Sequence, residues 1–290
     1  MKKVLKIGLL LGMIVLSTTG CFKRDNFEDI EIYTTAYPIT YITEYLYGEH
    51  STIHSIYPTG INIKNFELSK KQMNHYSNKG DLFIFNGLSK EKDYVIPMIT
   101  NNPDLKIIDT SLSMEYTNEV EELWLDPSNF LMLTQNIRDG LREYINNHYL
   151  KEEINEKYEN LRVKVSEIDA KLKLLAESST DKTIVVSSDL FKFLEKYNLT
   201  VISLEENNNL TDKTVEDVKN MIYQGEIDYI YIPENGKVTN TIKEIQKETN
   251  VELLKIHSIS NISEEDETAN KDYITLMNEN IDLLKNELYD

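Results

Sequence analysis

The sequence predicts an α/β protein of two similar lobes, each a parallel sheet flanked by helices, joined by one long rigid spine helix, with a cleft between the lobes. Three observations carry this. Strand-like apolar runs alternate with helical spacing between residues 30 and 110, and the same alternation resumes between residues 182 and 256. Between them, residues 151–177 keep helical spacing without a single Gly or Pro.

The first alternation opens with IEIYTTAYPIT (30–40), a buried strand ending in a Tyr-Pro turn, and ITEYLYG, a helix closed by Gly48. STIHSIYPTG (51–60) is a second strand, ended by Pro58 and Gly60. ELSKKQMNHYSNKG (67–80) carries a Ser69 cap and a Gly80 stop, as a helix does. DLFIFNG and LKIIDT are the third and fourth strands. From Asn129 the spacing turns helical, and the spine follows at a length of about 40 Å, from 1.5 Å per residue.

The second alternation runs KTIVVSS (strand), DLFKFLEKYN (helix), LTVISL (strand) and TDKTVEDVKNMIYQG, a Thr-capped helix stopped by Gly225. IDYIYI is a strand, KVTNTIKEIQKETN a helix and VELLKI the last strand. SEEDETAN (263–270) reads as a solvated acidic loop, and DYITLMNENIDLLKNEL closes the chain as an amphipathic helix. The implied organisation is a leader over 1–20, a tether over 21–29, an N-terminal lobe over 30–149, the spine over 150–178 and a C-terminal lobe over 179–290.

The leader itself has Lys2, Lys3 and Lys6 before an uncharged apolar stretch from Ile7 to Leu16, too short to span a bilayer and typical of a signal peptide. It ends in STTGC, small residues before Cys21, as in a bacterial lipobox. Cys21 is thus expected to carry a lipid that anchors the protein outside the cell membrane. As the only cysteine, it excludes an intramolecular disulfide or a thiolate metal cluster. The formal charge is −18, and loss of the leader's three lysines makes it three units more negative. Such a surface repels nucleic acid, and a monomer without a nucleic-acid partner is expected.

Taken in order, several segments resemble the substrate-binding lipoproteins of zinc and manganese ABC transporters, the cluster A-I type. YPITYITEYLYG resembles that family's first turn and helix, and DLFIFNGLSKE its strand ending in Asn-Gly-Leu. YPTGINIKNFELS and LWLDPSN are similar to its two ligand-bearing segments. VVSSDLFKFLEKYNL is similar to its Ser-His-Asp segment, and DYITLMNENIDLLKNEL to its last helix. The resemblance implies one divalent ion, zinc or manganese, held between the lobes by three histidines and a carboxylate, and delivery to a membrane permease.

Here the four matching positions fall on Lys64, Glu122, Ser188 and His257. Protonated Lys64 is no ligand and Ser188 a poor one. That leaves Glu122 and His257 for a metal, with Asp189 and Glu234 as auxiliaries. One expectation is that the Lys64 ammonium stands in for the ion, paired with Glu122 across the cleft so as to hold the lobes closed. The alternative for Lys64 is that it points to solvent above an eroded cleft. The alternative for the chain is a structural or interaction lipoprotein that binds another small solute or none. No phosphate loop or nucleophile elbow is present. An enzyme would have to be built on Ser188 and His257, the weakest of the three readings. His50 and His54, on a strand, are expected at its edge or surface rather than sharing an ion.

Overall fold

A computed structural model describes residues 27–115 and 122–289. Cys21 and the predicted leader lie outside the described residues, as does most of the tether. Phe27, at the tether's end, is buried and stacks on Tyr144, so the folded body begins earlier than expected.

The first lobe is built on β1 (Ile30–Thr34), β2 (Ser51–Ser55), β3 (Leu82–Phe85) and β4 (Lys106–Asp109). They pair in parallel in the order β2-β1-β3-β4. β3 is buried on both faces, as a central parallel strand must be. The crossovers are helical: α1 (Tyr37–Tyr47), α2 (Lys70–Lys79) and α3 (Lys92–Asn101). Pro38 starts α1, where its missing N–H costs nothing. Ser69 and Gln72 close a reciprocal capping box on α2. The sequence reading had no helix at α3, because Pro97 within it broke the pattern.

α4 (Pro127–Tyr144) leads to the spine, α5 (His148–Ser178), which at 31 residues is longer than expected. Its length is about 46 Å at 1.5 Å per residue. Leu150, Ile154, Tyr158, Leu161, Val165, Ile168, Leu172 and Leu175 form one buried stripe at steps of three and four.

The second lobe repeats the first. β5 (Thr183–Val186), β6 (Thr200–Ser203), β7 (Tyr229–Pro233) and β8 (Glu252–Ile256) pair in parallel as β6-β5-β7-β8. α6 (Asp212–Gln224) and α7 (Asn240–Thr249) cover it, with Gly225 supplying the left-handed cap at φ +72°. The helix expected at DLFKFLEKYN is present, as a 3-10 helix over residues 189–197. One expectation changes here. The acidic stretch is not a loop but a short helix, α8 (Glu264–Thr268), whose one buried residue is Asp266. α9 (Tyr273–Leu288) ends the chain. The spine packs on α1 and α4 of one lobe and on α9 of the other.

The lobes meet along a seam. The rings of Phe130 and Tyr273 stack at 3.8 Å between centroids. The Tyr273 hydroxyl donates to the Trp124 carbonyl (2.6 Å), and Trp124 Nε1 donates to the Ser258 carbonyl (2.9 Å). Asn261 donates to the carbonyls of Pro58 and Ile61, and Gly60 N–H to that of Ile262. A continuous apolar core runs beneath both lobes.

Candidate substrate cleft

The carboxyl ends of both sheets open into one cleft, the usual place for a ligand in open α/β sheets. A cavity of about 410 Å³ and an adjoining one of about 270 Å³ share Lys64, Glu122, Ser188, Leu190 and Glu205 in their linings.

Lys64 sits on a 3-10 turn after β2, whose N-cap is Asn62: its side chain accepts the Lys64 N–H at 2.9 Å. Buried Ile63 anchors the turn, while the Lys64 side chain is 56% exposed. Its Nζ lies 2.8 Å from Oε1 of Glu122, which is only 5% exposed. Glu122 is fixed from behind. Leu123, Trp124 and Leu125 follow it as a buried 3-10 turn, and Asp126 then caps α4. Two of the sequence-predicted residues are therefore in contact. Both belong to the first lobe, however, so the pair does not cross between lobes as expected. The turn follows β2 and the segment before α4 follows β4, the two edge strands of the same sheet, and the Lys64–Glu122 contact joins them.

Ser188 lines the cleft, and its Oγ caps the following 3-10 helix by accepting the Leu190 N–H. Asp189 also lines it, yet its carboxylate is engaged by Lys192 (3.1 Å) and Asn207 (2.9 Å).

His257 does not join them. Its ring is held within the second lobe, with Nδ1 2.7 Å from Glu234 and Nε2 3.0 Å from Glu279. Its N–H donates to Asn280. Lys271 bridges Glu279 and Asp266. Burial lowers the affinity of this imidazole for a proton. The Glu234 hydrogen bond and charge, with Asp266 and Glu279, outweigh burial and raise its pKa. With both nitrogens facing carboxylates, the surroundings favour the protonated ring, which donates from both. The four expected positions thus split three and one, and Glu122 and His257 do not share a cavity. The cause is local: two carboxylates of the second lobe hold the ring. Glu234 goes with His257, so Asp189 is the only auxiliary in the cleft. This also separates Ser188 from His257 as a catalytic pair. Among the described residues, the one group of three potential ligands with donor atoms within 4.8 Å of each other is Glu234, His257 and Asp266, none of which lines either cavity. His50 and His54 pair with Glu153 and Glu31 respectively.

The sequence reading missed Asn86, Lys90, Glu91, Glu205 and Asn207, which also line the larger cavity. Each follows the carboxyl end of β3 or β6, and strand ends were the available signal.

The family model described as zinc-uptake complex component A, periplasmic (ZnuA), matches residues 32–287. The zinc-binding lipoprotein AdcA of Streptococcus pneumoniae serotype 4 is 23% identical over 313 residues, covering 97% of this chain and 60% of that protein. The metal ABC transporter substrate-binding lipoprotein FimA of Streptococcus parasanguinis is 22% identical, covering 97% of each. The chain spans about half the length of the zinc-binding AdcA proteins of Streptococcus pyogenes that it also matches, at 55%. Among solved structures, the Zn(II)-bound ZnuA-like domain of S. pneumoniae AdcA superposes with a TM-score of 0.75 at 21% identity, over 90% of this chain and 100% of that one. The metal-dependent lipoprotein YcdH of Bacillus subtilis also scores 0.75, at 16% identity and the same coverage. At such identities the structural likeness speaks for the fold, and the family match over most of the chain speaks for kinship. The chain belongs to the ZnuA family, that of the zinc-uptake complex component A.

Proposed function

We propose that this protein is the lipid-anchored, extracytoplasmic substrate-binding component of an ABC transporter of the zinc and manganese type, with a rebuilt cleft in which the Lys64 ammonium stands where relatives hold their ion. Delivery to a membrane permease and anchoring through Cys21 are part of this reading. The names of the relatives as lipoproteins and substrate-binding proteins support them. Among the described residues no helix is long and apolar enough to cross a membrane.

One observation carries the altered cleft: Lys64 Nζ at 2.8 Å from the buried Glu122 carboxylate. An ammonium in that place opposes a divalent ion by charge, and among the described residues the cleft lining offers no imidazole to replace it. Elemental analysis of the protein purified without chelator tests this. The expected result is substoichiometric zinc and manganese, with zinc gained in a Lys64→His, Ser188→His double variant. Near-stoichiometric zinc in the unaltered protein would sink the reading.

A further inference from the structure

We infer that the cleft takes a small aliphatic amine, best a diamine, whose ammonium displaces Lys64 from Glu122. This rests on the reading above, that Lys64 occupies the cargo's place.

The acceptor is already set for an ammonium. Glu122 is 5% exposed and holds Nζ at hydrogen-bond distance, whereas the lysine is 56% exposed on a flexible stem. The carboxylate is the fixed half of the pair and the cation the exchangeable half. Releasing Lys64 into water forfeits little, because its stem is solvated and its charge rehydrates. A free amine of the same chemistry can therefore take its place.

A second carboxylate waits nearby. Glu205 is half-buried and lines both cavities. One of its oxygens accepts the Asp189 N–H at 3.2 Å, and among the described residues it has no cationic partner. Glu122 and Glu205 thus offer two anionic points, which suits a diamine better than a monoamine. Around the larger cavity four carboxylates, Glu91, Glu122, Asp189 and Glu205, stand among the described residues against Lys64 and Lys90 in the lining and Lys192, which pairs with Asp189. Lys90 is itself tied to the carbonyls of Lys64 and Phe66. The excess is negative, as is the chain at −18, and the field draws cations toward the mouth.

A bare metal ion fits less well. It needs several donors converging at roughly 2.0–2.6 Å. The cleft carboxylates do not form such a group, since the one close trio among the described residues lies elsewhere. A volume near 410 Å³ is instead the size of a small-molecule pocket.

Trp124, the only tryptophan of the chain, lines this cavity, so binding can be followed by its fluorescence together with calorimetry at low ionic strength. Putrescine is the probe, with n-butylamine and zinc chloride in parallel. The expected result is saturable putrescine binding, weaker for butylamine. It is lost in Glu122→Gln, weakened about tenfold in Glu205→Gln, and tightened about tenfold in Lys64→Met, where the internal competitor is gone. No putrescine binding in either the unaltered protein or Lys64→Met overturns the inference and leaves the transporter reading standing. Tight zinc in the unaltered protein overturns the Lys64 reading beneath it. Putrescine binding that is indifferent to Glu122→Gln also overturns the inference, because the amine then sits elsewhere.

Discussion

Lys64 with Glu122 in the first lobe, and His257 with Glu234 and Glu279 in the second, are two answers to one problem. Each lobe gathers acidic side chains, the first in the cleft lining and the second beside it, and each meets them with a basic side chain of its own. They differ in how firmly the cation is held. Lys64 is 56% exposed and makes one ion pair, while His257 is 17% exposed and is gripped through both ring nitrogens and its backbone N–H. The first arrangement can exchange its cation, and the second is a structural clamp. Neither ties one lobe to the other. That task falls to the aromatic stack and the Trp124 and Tyr273 hydrogen bonds of the seam, flanked by the pair between Lys196 and Asp126.

The sharpest way to break this division is to cut the seam. Phe130 is fully buried against Tyr273, and Phe130→Ala removes the stack and leaves a cavity. A loss of about 3–5 kcal/mol is expected in urea unfolding. If either ionic centre costs more when removed, then charge rather than packing holds the closed arrangement.

His257→Ala comes next. It leaves Glu234 facing Asp266 without the intervening ring, and Lys271 remains to serve Asp266 and Glu279. A loss of about 1–3 kcal/mol is expected at neutral pH. Adding Glu234→Gln recovers part of it, which a double-mutant cycle reads directly. Full additivity of the two changes would mean that the clamp does not exist.

A third carboxylate sharpens the comparison by having no cationic partner among the described residues. Glu287 is as buried as Glu122 and accepts hydrogen bonds from Asp228 N–H and Tyr229 N–H at the start of β7. Burial pushes its pKa up to about 7, more than those two hydrogen bonds lower it, and the charges of Asp228 and Asp181 add to the rise. A folded pKa above the unfolded value means that the folded state binds the extra proton. The stabilisation is then complete below about pH 4.5 and is lost as pH rises through about 7. The decline is on the order of 1–2 kcal/mol after allowance for relaxation. Melting curves from pH 4.5 to 8 should lose this slope in Glu287→Gln, and an unchanged slope would remove Glu287 from the account.

Much of this was legible from residue order. Period-two and period-three-to-four patterns gave all eight strands and most of the helices, because a parallel strand buried on both faces and a one-stripe helix leave different traces. α3 was hidden by Pro97, and α8 by its acidity, because a helix of five residues buries only Asp266 and has no apolar stripe to announce it. In the site, Lys64 beside Glu122 could be anticipated from the resemblance, since both fall on positions that match the family's ligands. The departure of His257 could not. It depends on where Glu279 of the last helix and Glu234 of a strand end arrive in space, and no local pattern encodes that meeting. Glu205 was missed for the opposite reason: it stands among neighbours typical of a polar turn, and only the cavity singles it out.

The smallest expected effect bears most directly on the comparison. Lys64→Met removes a charge partner from a buried carboxylate, which in a dry interior would cost several kcal/mol. Glu122, however, faces a cavity with room for water, and the lysine it loses is mostly exposed. Water can therefore rehydrate the oxygen that Nζ leaves. A stability change of less than about 1 kcal/mol is expected in the same urea assay, several-fold below that of His257→Ala. A loss equal to or above that of His257→Ala would mean that Lys64 is a clamp as well, and that no ligand amine could exchange with it cheaply. A small loss keeps the two centres distinct: one built to hold, the other built to let go.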